Sequence, residues 1–128
     1  MAARILVIDD EEEVREILKQ MLELEGYQVI TAGDGNQGLK LFRQNPTDLV
    51  ITDIIMPEKE GIETIIELRN EFPNVKIISI SGGGRISPTD YLTMSKKLGA
   101  VKSFTKPFER KKLLKAVEEL LADNPKRE

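Results

Sequence analysis

A regular alternation constrains the fold more than any other feature of this chain. Short, almost wholly apolar runs take turns with longer amphipathic segments. Ile5-Leu6-Val7-Ile8, Leu49-Val50-Ile51-Thr52 and Ile77-Ile78-Ser79-Ile80 read as buried strands. Runs this apolar suit parallel strands covered on both faces. The segments between them place apolar residues three and four positions apart, as in Val14, Ile17, Leu18, Met21 and Leu22, which is helical spacing.

Strands are predicted at Arg4–Ile8, Gln28–Thr31, Asp48–Thr52, Lys76–Ile80 and Lys102–Thr105. Helices are predicted at Glu11–Glu25, Asn36–Arg43 and Gly61–Glu71, from Pro88 to about Lys97, and at Phe108–Ala122. Asp10 is expected to cap the first helix and Gly26 to stop it. The third helix is expected to carry Ile62, Ile65 and Ile66, with Phe72 beyond it, and Pro73-Asn74 to break it. Five strand–helix alternations imply one α/β domain with a doubly wound parallel sheet. That domain is placed at residues 1–123, followed by a polar tail at 124–128.

The ends of these runs carry the chemistry. The first stops at Asp9 and Asp10, the third strand at Asp53, the fourth at Ser81. The less regular run from Val101 to Thr105 stops at Lys106-Pro107. Strand ends of a parallel sheet share one edge, which is where open α/β sheets bind ligands. The chain has no cysteine and no histidine. Thiolate chemistry, histidine bases and cysteine or histidine metal sites are therefore excluded. What remains is a set of hard oxygen donors suited to Mg²⁺ above all, with Mn²⁺ as a substitute. Asp9, Asp10 and Asp53 are candidate metal ligands. Asp53 follows its strand alone and is the better candidate for a carboxylate nucleophile. Ser81 can donate a hydrogen bond to a phosphoryl oxygen, and Lys106 can pair with another.

Composition narrows the partners. With a net charge of −3 and no dominant basic patch, direct nucleic-acid binding is not expected. No stretch is apolar enough to span a membrane, and Met1-Ala2-Ala3-Arg4 leads straight into a strand without a signal-peptide core. A cytoplasmic protein is expected.

Plainer explanations exist for each residue taken singly, since an aspartate after a strand is commonly a cap and a Lys-Pro commonly a loop. Gly33-Asp34-Gly35-Asn36-Gln37-Gly38 also matches the dinucleotide fingerprint, with Asp53 at about the ribose-binding spacing. It follows the second strand rather than the first, and helix capping accounts for Gly33 to Asn36. A Mg²⁺-dependent phosphatase or nucleotide-binding protein on a similar sheet is the alternative reading.

The motifs taken together resemble the receiver domain of two-component response regulators over essentially the whole chain. They are Ile5 to Glu11, Asp48 to Pro57 with Gly61, Ile80-Ser81-Gly82, and Gly99-Ala100 through Phe104 to Phe108. The resemblance implies a flavodoxin-like sheet of order 2-1-3-4-5 with five helices. It implies that Asp53 accepts a phosphoryl group from the phosphohistidine of a sensor kinase or phosphotransfer protein. It implies that Asp10, Asp53 and the backbone carbonyl of Ile55 bind Mg²⁺, with Asp9 acting mainly through water. Ser81 and Lys106 take the roles of hydroxyl and lysine, and the receiver catalyses its own phosphorylation and hydrolysis.

The chain departs from common family patterns in three respects. Ser103 stands where many receivers carry an aromatic switch, and Phe104 should face the other side of its strand. Output is therefore expected through the loop from Gly82 to Ser87 and the helix after Pro88. Lys102 replaces an acidic dimer residue of one large subfamily, so a monomer or weak dimer is expected. Ile55 and Gly83 offer no polar side chain to position an attacking water, which points to slow or intermediate dephosphorylation.

Overall fold

The structure, a computed structural model, describes residues 2–54, 61–81, 102–105 and 108–122. Five strands form one parallel sheet: β1 (Arg4–Ile8), β2 (Gln28–Ala32), β3 (Leu49–Asp53), β4 (Ile77–Ser81) and β5 (Lys102–Thr105). Their order is β2-β1-β3-β4-β5, the flavodoxin-like order. Four helices fall within the described residues: α1 (Glu12–Leu24), α2 (Gly35–Gln44), α3 (Gly61–Glu71) and α4 (Arg110–Ala122). The helix expected after Pro88 and the loop before it lie outside the described residues.

Alternation along each strand splits the core in two. Ile5, Val7, Leu49, Ile51, Ile78 and Ile80 face one side, against Leu18, Met21 and Leu22 of α1 and Leu113, Val117 and Leu121 of α4. Leu6, Ile8, Val50 and Ile77 face the other, against Leu39 and Phe42 of α2 and Ile65 and Leu68 of α3. Each such side chain contributes roughly 1.5–3 kcal/mol relative to exposure. Burial on both faces explains why these strands read as apolar runs rather than alternating ones.

The helix faces differ in detail from the expectation. Ile17 is 57% exposed and Ile66 is 41% exposed, whereas Leu18, Thr64, Ile65 and Leu68 are buried. Successive helical residues diverge by about 100°, so at the edge of the buried face, as at Ile17-Leu18 and Ile65-Ile66, one residue is covered by the sheet and its neighbour points outward.

The helix ends also differ. Asp10 does not cap α1. Its N-cap is Glu11, in extended conformation, and no side chain caps it. At the other end Gly26 stops α1 as expected. It takes φ of +94°, and the Tyr27 amide donates to the Leu22 carbonyl at 3.2 Å, closing a Schellman turn.

Candidate functional site

Register brings the acidic residues together. Ile8 of β1 is paired with Thr52 of β3, so the next residues, Asp9 and Asp53, leave adjacent strands side by side. Asp53 is paired in turn with Ile80 of β4, which puts the backbone of Ser81 one step further along the neighbouring strand. Carboxylate oxygens of Asp9, Asp10, Glu11 and Asp53 lie within 4.8 Å of one another. Asp9 and Asp53 are buried, 1% and 3% exposed, while Asp10 and Glu11 are exposed. Glu11 extends the sequence-derived set. Its signal was the unbroken acidic run from Asp9 to Glu13, although Glu11-Glu12-Glu13 also suits the positive end of the α1 dipole.

Local bonds hold the β1 exit in place. The Asp9 amide donates to the Ala32 carbonyl at 3.1 Å. The Glu11 amide donates to Asp9 Oδ1 at 2.9 Å, folding the turn back on itself. The Asp9 carbonyl accepts from Arg15 Nη1 at 2.7 Å, a contact that sequence reasoning missed. Beneath Asp53, the ladder is still intact, with the Ile54 amide donating to the Ile80 carbonyl at 3.0 Å.

Such a donor set fits a hard divalent cation. All four donors are carboxylates, and burying two of them close together costs free energy that an ion between them would offset. Ile55 and Lys106 lie outside the described residues. Ser81 is placed by its backbone at the end of β4, level with Thr105 of β5. Phe104 is half-buried and packs on the face shared with α1 and α4.

The glycine-rich segment before α2 serves packing and capping. Asp34 Oδ1 accepts from the Gln37 amide at 2.8 Å, and Gln37 Oε1 accepts from the Gly33 amide at 2.8 Å. A carboxylate at that helix start would repel a pyrophosphate. Gly38 lies against Ile8, where a Cβ would come 2.4 Å from Ile8 Cδ1. This segment is a helix start that packs closely on β1.

The family model of the response regulator receiver domain matches residues 5–118. The chain belongs to the response regulator receiver domain family. This receiver domain is 41% identical over 108 residues to the response regulator GtcR of Aneurinibacillus migulanus, covering 84% of this chain and 43% of that protein. It is 32% identical over 121 residues to sporulation initiation phosphotransferase F of Bacillus subtilis, covering 94% and 95% of the two chains. A CheY-like receiver domain protein from Methanospirillum hungatei superposes with a TM-score of 0.89 at 30% identity, covering both chains completely. The receiver spans about half the length of most of the curated relatives it matches, as with the 50% covered of a probable transcriptional regulator from Cyanophora paradoxa. Receiver domains are signalling phosphoacceptors of two-component systems. No helix among the described residues is long and apolar enough to cross a membrane.

Proposed function

We propose that Asp53 is the phosphoacceptor of this receiver. The observation that carries the reading is its position: a carboxylate 3% exposed, at the end of the central strand, with three other carboxylates grouped around it. One Asp53 oxygen attacks phosphorus, the P–N bond of a donor phosphohistidine breaks, and the imidazole leaves with the electron pair. The product is an acyl phosphate on Asp53.

Asp10 and Asp53 would hold Mg²⁺ with the Ile55 carbonyl, and Asp9 would act mainly through water; Mn²⁺ suits the same donors. The ion would neutralise charge that accumulates on the phosphoryl oxygens. Asp9 contributes a second, buried negative charge that favours a cation at the strand ends. Ser81 would donate to one phosphoryl oxygen and Lys106 would pair with another. With these groups on one chain, the receiver would catalyse its own phosphorylation and hydrolysis, and a small acyl phosphate would replace the protein donor.

The reading extends to a receiver at residues 1–123 with a short tail, cytoplasmic, and supplied by a sensor histidine kinase or phosphotransfer protein. A monomer or weak dimer is supported by Lys102 standing where one large subfamily carries an acidic dimer residue; its Nζ lies 4.0 Å from Glu119 Oε1 of α4. Incubation with acetyl phosphate and Mg²⁺ should add one phosphate mass. Asp53→Asn should add none. Equal phosphorylation of the variant would overturn the assignment.

A further inference from the structure

We infer that Arg15 is a positioning residue for the metal-binding carboxylates. The inference rests on the Mg²⁺ reading of the site. Arg15 sits on the second turn of α1, half-buried, and its Nη1 donates to the Asp9 carbonyl at 2.7 Å. That nitrogen is also 3.5 Å from where a Cβ on Gly33 would stand, so the guanidinium lies beside the loop before α2.

The consequence follows from peptide planarity. The Asp9 carbonyl and the Asp10 amide belong to one rigid plane. The Asp9 amide is already tied to Ala32, and Asp9 Oδ1 is tied to the Glu11 amide. A third bond, on the carbonyl, fixes how the plane between Asp9 and Asp10 is turned. It thereby fixes the N–Cα bond of Asp10, while the Glu11 amide on Asp9 Oδ1 restrains rotation about that bond and with it the direction of the Asp10 side chain. Asp10 is exposed, so burial does not hold it. A carboxylate free to swing would lose part of its binding energy in being ordered on the ion.

Arg15 also carries positive charge beside a cation site, which by itself disfavours a second cation. The two effects have opposite signs, so measurement separates them. Groups that orient metal ligands typically contribute a factor of about 10–100 in affinity. Coulomb repulsion from a solvent-accessible guanidinium is screened and smaller. Orientation should win.

Magnesium chloride is titrated calorimetrically into the metal-free protein, alongside Arg15→Met, Arg15→Gln, Arg15→Lys and Asp53→Asn. Arg15→Met keeps an apolar stem without a donor, and Arg15→Gln keeps a polar end that falls short of the carbonyl. Both should weaken Mg²⁺ binding about tenfold. Both should still unfold cooperatively without metal, at melting temperatures somewhat below the wild type because the bond to the Asp9 carbonyl is lost. Arg15→Lys, which retains one donor and the charge, should recover most of the affinity. Unchanged or tighter binding in the two neutral variants, with binding lost in Asp53→Asn, overturns the role of Arg15 alone. Absence of binding in the wild type, or full binding in Asp53→Asn, overturns the metal reading and the positioning role with it.

Discussion

At the scale of single residues, the site depends on a contact just beneath it. Ile8, next to Asp9, is 1% exposed and meets the open face of Gly38 on α2. A Cβ at position 38 would stand 2.4 Å from Ile8 Cδ1 and 2.8 Å from Ile8 Cγ1. Alanine normally gains about 1 kcal/mol over glycine inside a helix. Overpacking a rigid core costs typically about 1–3 kcal/mol. Because two Ile8 atoms are involved rather than one mobile tip, the overpacking term should win, and Gly38→Ala should lose roughly 1 kcal/mol in urea unfolding. In an Ile8→Val background, which lacks the nearest atom but keeps the one at 2.8 Å, the same substitution should cost less. Equal loss in both backgrounds would place the cost elsewhere. The glycine spacing that produces the dinucleotide-like motif is therefore a packing signal. One sequence could not separate the two meanings, because both demand a helix start close against a strand.

At the scale of elements, strands and several helix ends, such as Gly26 after α1 and Glu71 at the end of α3, were legible, whereas the start of α1 was not. A strand buried on both faces writes its identity into every residue, which is why β1, β3 and β4 stand out. A helix end depends on where one short side chain points. Asp9, Asp10 and Glu11 are chemically alike, and only the turn decides that Asp9 accepts the Glu11 amide while Asp10 faces solvent. Surface ties between helices are equally hidden. Arg43 of α2 donates from Nε to Glu71 Oε1 of α3 at 2.8 Å, and Nη2 bonds the other carboxylate oxygen. These hydrogen bonds, aided by the guanidinium charge, hold the Glu71 carboxyl below its usual range despite some desolvation. The folded state then takes up this proton less readily than the unfolded chain. The contribution is present at neutral pH and is lost as pH falls through the depressed Glu71 value. Arg43→Ala should lower the urea midpoint at about pH 7, and the gap to wild type should shrink toward about pH 3. A gap of constant size would show that packing of the arginine stem, not the ion pair, accounts for the loss.

At the scale of the whole molecule, the sheet collects residues that are remote in sequence, and the outline of the site follows from strand order alone. Asp9 and Asp53 meet because β1 and β3 are neighbours in register; the apolar runs implied a parallel sheet, and the resemblance to receiver domains implied the strand order. Arg15 was not legible, since its contact depends on how α1 leaves the turn after β1. The same convergence makes stability depend on cations. Two buried and two exposed carboxylates share one end of the sheet, an arrangement in which like charges disfavour one another. An ion that binds only the folded state adds RT ln(1 + [Mg²⁺]/Kd), about 1.4 kcal/mol for each tenfold rise above Kd when one ion binds. Melting temperature should therefore climb with the logarithm of Mg²⁺ concentration, by several degrees per decade for a domain of this size. General screening would also relieve the repulsion, but it acts through ionic strength and has no saturating midpoint. Sodium chloride at matched ionic strength should give a smaller, featureless rise. Asp53→Asn should abolish the Mg²⁺-specific part while raising the metal-free baseline, because one of the repelling charges is gone. Identical curves for the two salts would mean that the carboxylates form no defined ion site. A loss of Mg²⁺ response in Asp53→Asn without a higher baseline would mean that their mutual repulsion is already relieved within the metal-free protein.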